Sequence, residues 1–437
     1  MLRRTWMFLA RTGTPRPVPT AIRVATLACL AGLAACTTGP MAMFGGTSQP
    51  PPFDQGSPGA DQAGSRSTRV GLLLPLTGAN APLGQAMLKS AQLALDAPGA
   101  PALDPQDTGD APGGAARAAQ AALGGGDGIL LGPLTSADTA QAAPIAHAAG
   151  VPMLAFTSDL AQAQPGIWVM GVTPEQQVRR LVAAAKADNR NRIAALLPDN
   201  ALGHSMTDAL RQACSDAGLP APVVAQHGES MESVNAAMRS LSDFADRRGA
   251  IEQKVKDAKA SQDPAVRATA AALGQTPIPP PPFDALLLAD TGIGLQEVIS
   301  VLAYYDVSPS QVRIMGPLLW GAFAGKLHAL EGAWFAGPDP RDRRGFASLY
   351  EKKFGQPPRP LADIPYDAAA LAGSLSQRGG YGVDTLTRGD GFAGVDGIFA
   401  LQPDGHVRRG LAIFQIQPGG GASIIQPAPV SLGDTNT

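Results

Sequence analysis

Short apolar runs and Ala-rich segments of helical period alternate along most of the chain. The runs are 70–76 (VGLLLPL), 128–133 (GILLGP), 152–156 (PMLAF), 192–198 (RIAALLP), 221–226 (APVVAQ), 284–290 (DALLLAD) and 313–319 (RIMGPLL). Each is too short for a typical helix and is bounded by turn formers, as a parallel strand buried on both faces reads. Between them, 84–97, 174–188, 205–218 and 295–307 carry apolar residues at helical spacing. The order predicts βαβ units: an α/β fold with parallel sheets and helices on both faces. The alternation runs too long for one doubly wound sheet, so two lobes are expected.

The first run raises the functional question. Val70–Leu76 ends in Thr77, Gly78, Ala79 and Asn80, a loop at the carboxyl end of a strand, where ligands sit in open α/β sheets. Thr77 and Gly78 are therefore candidate cleft residues.

The amino-terminal flank has a different character. Residues 1–35 hold five arginines and no acid, and Val24–Ala35 is apolar but too short to span a membrane. This is the pattern of a secretory signal. Its end, Leu33-Ala34-Ala35-Cys36, resembles the lipobox of bacterial lipoproteins, which implies cleavage before Cys36 and acylation of that residue. Loss of the five arginines leaves a mildly acidic protein with no electrostatic footprint for nucleic acid. Residues 36–68 are rich in Pro, Gly, Ser and Gln and read as a disordered tether with a reach of about 30 Å. With Cys29 in the signal and Cys36 acylated, Cys214 remains, and its helical surroundings read as core. No disulfide framework, cysteine metal site or cofactor is expected.

Residues 244–282 interrupt the alternation with a charged, Ala-rich stretch ending in a Pro run. They predict an exposed helix or helix pair and an extended spacer, open either to solvent or to a partner.

The segments 70–96 (VGLLLPLTGANAPLGQAMLKSAQLALD) and 128–159 (GILLGPLTSADTAQAAPIAHAAGVPMLAFTSD) resemble periplasmic binding proteins of the leucine/isoleucine/valine-binding type. So do 350–375 and 392–416, which extends the resemblance over nearly all of 69–417. It implies a two-lobed type I periplasmic binding protein fold with three hinge crossovers. Lobe 1 would hold 69–172 and 317–400, and lobe 2 would hold 173–316 and 401–417, leaving 418–437 as a flexible tail. The resemblance also implies ligand positions. Ser136, preceded by Thr135, matches a serine that holds the ligand carboxylate. Thr157, followed by Ser158, falls at a backbone contact. Asp159 stands where a threonine hydroxyl is expected, Leu202 where a tyrosine closes over the ligand, and Asp290 lies near the place of the acid that takes the ammonium. An ionised Asp159 would repel a ligand carboxylate by several kcal/mol in a poorly solvated site. An ordinary amino-acid receptor is not expected.

A second resemblance covers 285–320 and 330–355. It is to penicillin-binding-protein activator lipoproteins, and it implies an outer-membrane anchor and contact with a peptidoglycan synthase. The other reading is a receptor that delivers an amino acid or another small polar ligand from the inter-lobe cleft to an ABC permease. Enzymatic readings are weaker. Gly203–Thr207 (GHSMT) lacks the last glycine of a nucleophile elbow and continues as a helix. Gly292–Glu297 (GIGLQE) has two glycines of a dinucleotide fingerprint and reads as a turn before a helix at 295–305. None of the five histidines pairs at i,i+4 or adjoins another metal-ligand type in sequence, so no metal site is expected. Trp320, Trp334, Tyr304 and Tyr305 read as core or hinge packing.

Overall fold

The computed structural model describes residues 67–432. Cys36, the signal segment and nearly all of the tether lie outside the described residues. The chain begins with β1 (Val70–Leu74), α1 (Ala81–Ala94), β2 (Leu103–Asp107), α2 (Gly114–Gly124), β3 (Ile129–Leu131), α3 (Ser136–Ala148), β4 (Met153–Ala155) and β5 (Ile167–Val169). These strands form a parallel sheet in the order β2-β1-β3-β4-β5. Val70, Leu72 and Leu74 face α1, whereas Leu73 faces the alanines of α2 and α3. Burial on both faces explains the unbroken apolar runs. β2 is the exception: its sequence LDPQD is polar and carries a proline, which an edge strand tolerates.

The chain then crosses to a second lobe through α4 (Pro174–Ala187), β6 (Ile193–Pro198), α5 (Ala201–Asp216), β7 (Val223–His227) and α6 (Met231–Leu241). After α7 (Phe244–Ala260) and α8 (Pro264–Gly274) come β8 (Ala285–Leu288), α9 (Gly292–Tyr304), β9 (Arg313–Gly316) and β10 (Trp334–Gly337). A second crossing leads to α10 (Pro340–Phe354), α11 (Asp363–Ser376), α12 (Val383–Leu386), β11 (Phe392–Gly394), β12 (Gly397–Leu401) and β13 (Val407–Arg409). A third returns to β14 (Ala412–Ile416) and β15 (Ala422–Gln426). The second sheet has the order β15-β14-β10-β9-β8-β6-β7, antiparallel only where β14 meets its two neighbours. One face packs on α4 and α5, the other on α6, α9 and Trp320. The small antiparallel sheet β11-β12-β13 joins lobe 1, where Phe399, Leu401 and Val407 enter the core shared by α1 and α11.

Three expected boundaries are corrected. β10 pairs with β9 and β14, so lobe 2 continues through Gly337 rather than ending at 316. The 401–409 stretch belongs to lobe 1, held there by Leu401 and Val407. The expected tail contains β15, which forms a hairpin with β14 through a turn in which Gly420 N–H donates to Gln417 O at 2.9 Å. Gly292–Glu297 is also not a turn: it is the first part of α9. Trp320, Trp334 and Tyr305 are buried, whereas Tyr304 is 69% exposed.

The 244–282 interruption is a helix pair. α7 and α8 pack on each other, and Arg247 fixes their base to the lobe. Its guanidinium donates to Pro279 O (2.8 Å), Ser242 O (2.9 Å) and Tyr305 O (3.2 Å), and Phe244 meets the Tyr305 ring edge-on at 4.9 Å.

Candidate functional site

The polar candidates of lobe 1 follow the carboxyl ends of β1, β3 and β4, so parallel pairing sets them along one sheet edge. There they largely hold one another. Thr77 Oγ1 donates to Asp107 Oδ2 at 2.6 Å, and the N–H groups of Leu76, Thr77 and Gly109 donate to Oδ1 at 2.8, 3.2 and 2.8 Å. Burial opposes the charge, but these hydrogen bonds hold Asp107 below the usual carboxylate range. Gly78 turns the loop at φ +82°, where a Cβ would stand 1.9 Å from Asp110 Oδ2. Only glycine fits that position.

Thr135 caps α3, accepting from Asp138 N–H at 3.1 Å and donating to Asp138 Oδ2 at 2.8 Å. The Ser136 hydroxyl donates to Asp159 Oδ2, while Asp159 Oδ1 accepts from Ala161 N–H at 3.0 Å. Thr157 Oγ1 accepts from Asp159 N–H at 3.1 Å. The Ser136 bond, against some burial, keeps Asp159 below its ordinary pKa. Asp159 is thus an ionised acid that engages the serine hydroxyl a ligand carboxylate would need.

In lobe 2, Asp290 is buried two residues beyond β8. His227 closes β7, with Nε2 3.3 Å from Asp290 Oδ2 and Nδ1 2.9 Å from Gly228 O. Burial disfavours a charged ring, but two acceptors around it raise His227 above its ordinary pKa. Asp290 O also accepts from Trp320 Nε1 at 3.0 Å. Leu202, near the start of α5, packs against the cluster formed by α4, α5 and the second sheet. His227 meets Asp290 although 63 residues separate them, because β7 and β8 flank β6 and end at one sheet edge. His406 likewise meets Glu175 at 2.8 Å. Cys214 is buried in α5, and burial pushes its thiol up to about 11.

A cavity of about 360 Å³ lies between the lobes, beside the crossings. Leu134, Phe156, Thr157 and Ser158 line it from lobe 1 strand ends, Gly171, Val172 and Pro338 from the crossings, and Leu318 from lobe 2. Leu361, Asp363, Ile364 and Asp396 complete it. Of the sequence candidates, the structure brings only Thr157 and Ser158 to this wall. Thr77, Gly78, Thr135, Ser136, Asp159, Leu202 and Asp290 lie outside it.

The sequence reading missed the charged cluster behind the cavity. Asp363 receives Arg343 Nε on both oxygens, at 2.8 and 2.9 Å. Asp367 accepts the N–H groups of Val395 (2.7 Å) and Asp396 (3.3 Å) and faces Arg409 Nη1 at 3.9 Å. Burial pushes Asp367 up to about 6 and Asp396 up to about 7. Arg409 also donates to Met170 O at 3.0 Å, tying β13 to the first crossing. Gln176 Nε2 donates to Val407 O at 2.5 Å, and Arg180 Nε to Leu411 O at 2.8 Å. A lone Asp367 within the apolar helix sequence IPYDAAALAG was the available signal. Among the described residues, no group of three or more His, Cys, Asp or Glu is placed to hold a metal ion.

The family model for periplasmic binding proteins matches residues 67–422, and the chain belongs to that family. A solved protein from Rhodospirillum rubrum, assigned as a branched-chain amino acid ABC transporter, is similar at 21% identity and TM-score 0.61, covering 82% of this chain and 100% of that one. Full-length LpoA from Haemophilus influenzae is similar at 17% identity and TM-score 0.59, covering 84% of this chain and 59% of that one. The C-domain of LpoA from the same organism, described as a regulator of PBP1A, gives 18% identity and TM-score 0.56 over 82% of this chain and 99% of that one. At these identities the likeness is one of fold. No curated protein matches the chain in sequence. Among the described residues, no helix is long and apolar enough to cross a membrane.

Proposed function

We propose that the chain is a non-enzymatic, lipid-anchored binding module of the periplasm that activates a peptidoglycan synthase, a penicillin-binding protein, through direct contact. The observation that carries this reading is the internal engagement of the amino-acid positions. Ser136 is bonded to Asp159, Asp290 to His227, and Leu202 is packed into lobe 2. A hydrogen-bonded site loses orders of magnitude in affinity when its partners are taken or unpaired. The fold likeness to the LpoA C-domain supports the partner class, and the helix pair α7–α8 offers an exposed surface for it.

The second reading, a receptor for an ABC permease, is favoured by the similarity to the whole length of the Rhodospirillum rubrum protein. Calorimetry on the full chain in detergent separates the two. Leucine, isoleucine and valine are expected to bind no tighter than about millimolar, which corresponds to about 4 kcal/mol. Crosslinking in cells is expected to yield a product that carries labelled penicillin. Micromolar amino-acid binding with no such product would replace the activator reading by the receptor.

The anchor is testable by itself. Cys36→Ser is expected to leave the chain unprocessed or to release it into the soluble periplasmic fraction, and the parent is expected to fractionate with the outer membrane. Unchanged fractionation of a processed variant would remove the lipid from the proposal.

A further inference from the structure

Asp396 stands in the turn between β11 and β12, and Gly394 allows that turn to approach Asp367 closely. A Cβ on residue 394 would lie 2.4 Å from Asp367 Oδ2. The Asp396 N–H is used on Asp367, but no described residue donates a hydrogen bond to its carboxylate. The residue is only 7% exposed, and it lines the inter-lobe cavity. The cations acting on it are Arg409 from β13 and Arg343 from α10, while Asp363 and Asp367 oppose it from α11. Arg343 is taken up by Asp363, and Arg409 lies against Asp367. Three carboxylates thus share two guanidinium groups, so above the raised pKa of Asp396 one negative charge is left facing the cavity. A buried carboxylate of this kind calls for a donor.

Most of the remaining wall, with Leu134, Phe156, Leu318 and Ile364, is apolar, and Thr157 and Ser158 add polar groups at one side. A metal ion would find too few free oxygens there, since both oxygens of Asp363 are engaged. A carboxylate ligand would add a second negative charge to the one left over. We propose that the cavity binds a small organic monocation, a primary ammonium on an apolar body, with the ammonium donating to the Asp396 carboxylate. The cavity is near the lower end of ligand-pocket volumes, so the body suits about ten non-hydrogen atoms. This goes beyond the partner reading and holds for either partner.

The test is calorimetry of the full chain in detergent with benzylammonium, phenethylammonium and amylammonium. At least one is expected to bind with a submillimolar Kd at pH 8. Phenylacetate and phenethyl alcohol, of similar shape, are expected to bind at least about tenfold more weakly. Affinity for the ammonium is expected to fall about tenfold between pH 8 and pH 6, as Asp396 takes up a proton. Asp396→Asn is expected to lose at least about tenfold in affinity, and Leu318→Trp, which fills the cavity from the other lobe, is expected to abolish binding. No ammonium bound below about 10 millimolar, equal binding of the carboxylate, or full affinity in Asp396→Asn would each overturn the proposal. None of these readouts involves the synthase, so their failure would leave the crosslinking result standing.

Discussion

Arg409→Met is expected to destabilise the folded chain by about 3–5 kcal/mol at neutral pH, the cost of removing one partner from a buried charged pair. The Arg409 side chain is 1% exposed, its guanidinium faces Asp367, and its Nη2 donates to Met170 O across the first crossing. Methionine keeps much of the volume against Phe399, over which the guanidinium lies at 5.3 Å, but it supplies neither charge nor donor. Asp367 and Asp396 are then left in a dry site with no cation from β13. They can escape by protonating, so the loss is expected to be smaller at pH 5 than at pH 8. Arg409→Met with Asp367→Asn is expected to recover part of the stability, because the orphaned charge goes as well. Urea unfolding with an unchanged m-value measures all three proteins. A loss below about 1 kcal/mol at pH 8 would mean that the buried cluster does not depend on Arg409. Domains are stable by only about 5–15 kcal/mol, so the expected loss is large enough to lower abundance in cells.

The elements that were legible in the sequence are those whose neighbours are local or repeated. All seven apolar runs form strands: six are buried on both faces, where no partner-specific pattern is needed, and β7 sits at the sheet edge with Val223 exposed. β2 escaped notice for the opposite reason: as an edge strand it tolerates Asp104, Pro105 and Gln106, which carry no apolar signal. The lobe boundaries shifted because β10 owes its place to pairing with β14, far along the chain, rather than to its own composition. The strand-end loops could be located in advance, since parallel strands send all their carboxyl ends to one edge. What those loops do could not. Ser136 spends its hydroxyl on Asp159, and Asp290 meets a histidine that spacing had set aside. The cluster of Asp363, Asp367, Asp396, Arg343 and Arg409 is assembled from α10, α11, the β11–β12 turn and β13. No periodicity in one segment announces a charge balance spread over four.

Asp396→Asn is expected to become progressively more stable than the parent as pH rises from 4 to 8. In the unfolded chain this aspartate titrates near 3.9. In the folded chain burial comes first, with Asp363 and Asp367 adding repulsion and Arg409 and Arg343 only partly offsetting it, and the group titrates at about 7. Between those values the native state holds a proton that the unfolded state releases, so raising the pH costs the parent stability, at up to about 1.4 kcal/mol per pH unit. Below the unfolded value both states are protonated and the variant should gain little. Above pH 7 the gain should level off, on the order of 4 kcal/mol for an isolated group of this shift. Asp367 titrates in the same window, but it is present in both proteins, and the difference between them removes most of its contribution. Unfolding midpoints across this range provide the measurement. A variant that loses stability as pH rises would show that the Asp396 carboxylate is held by attraction to Arg409 and Arg343 rather than left wanting a donor. If the gain is found, phenethylammonium at pH 8 should close much of the gap by stabilising the parent alone, because a ligand that binds only the native state adds stability in proportion to the logarithm of its occupancy ratio.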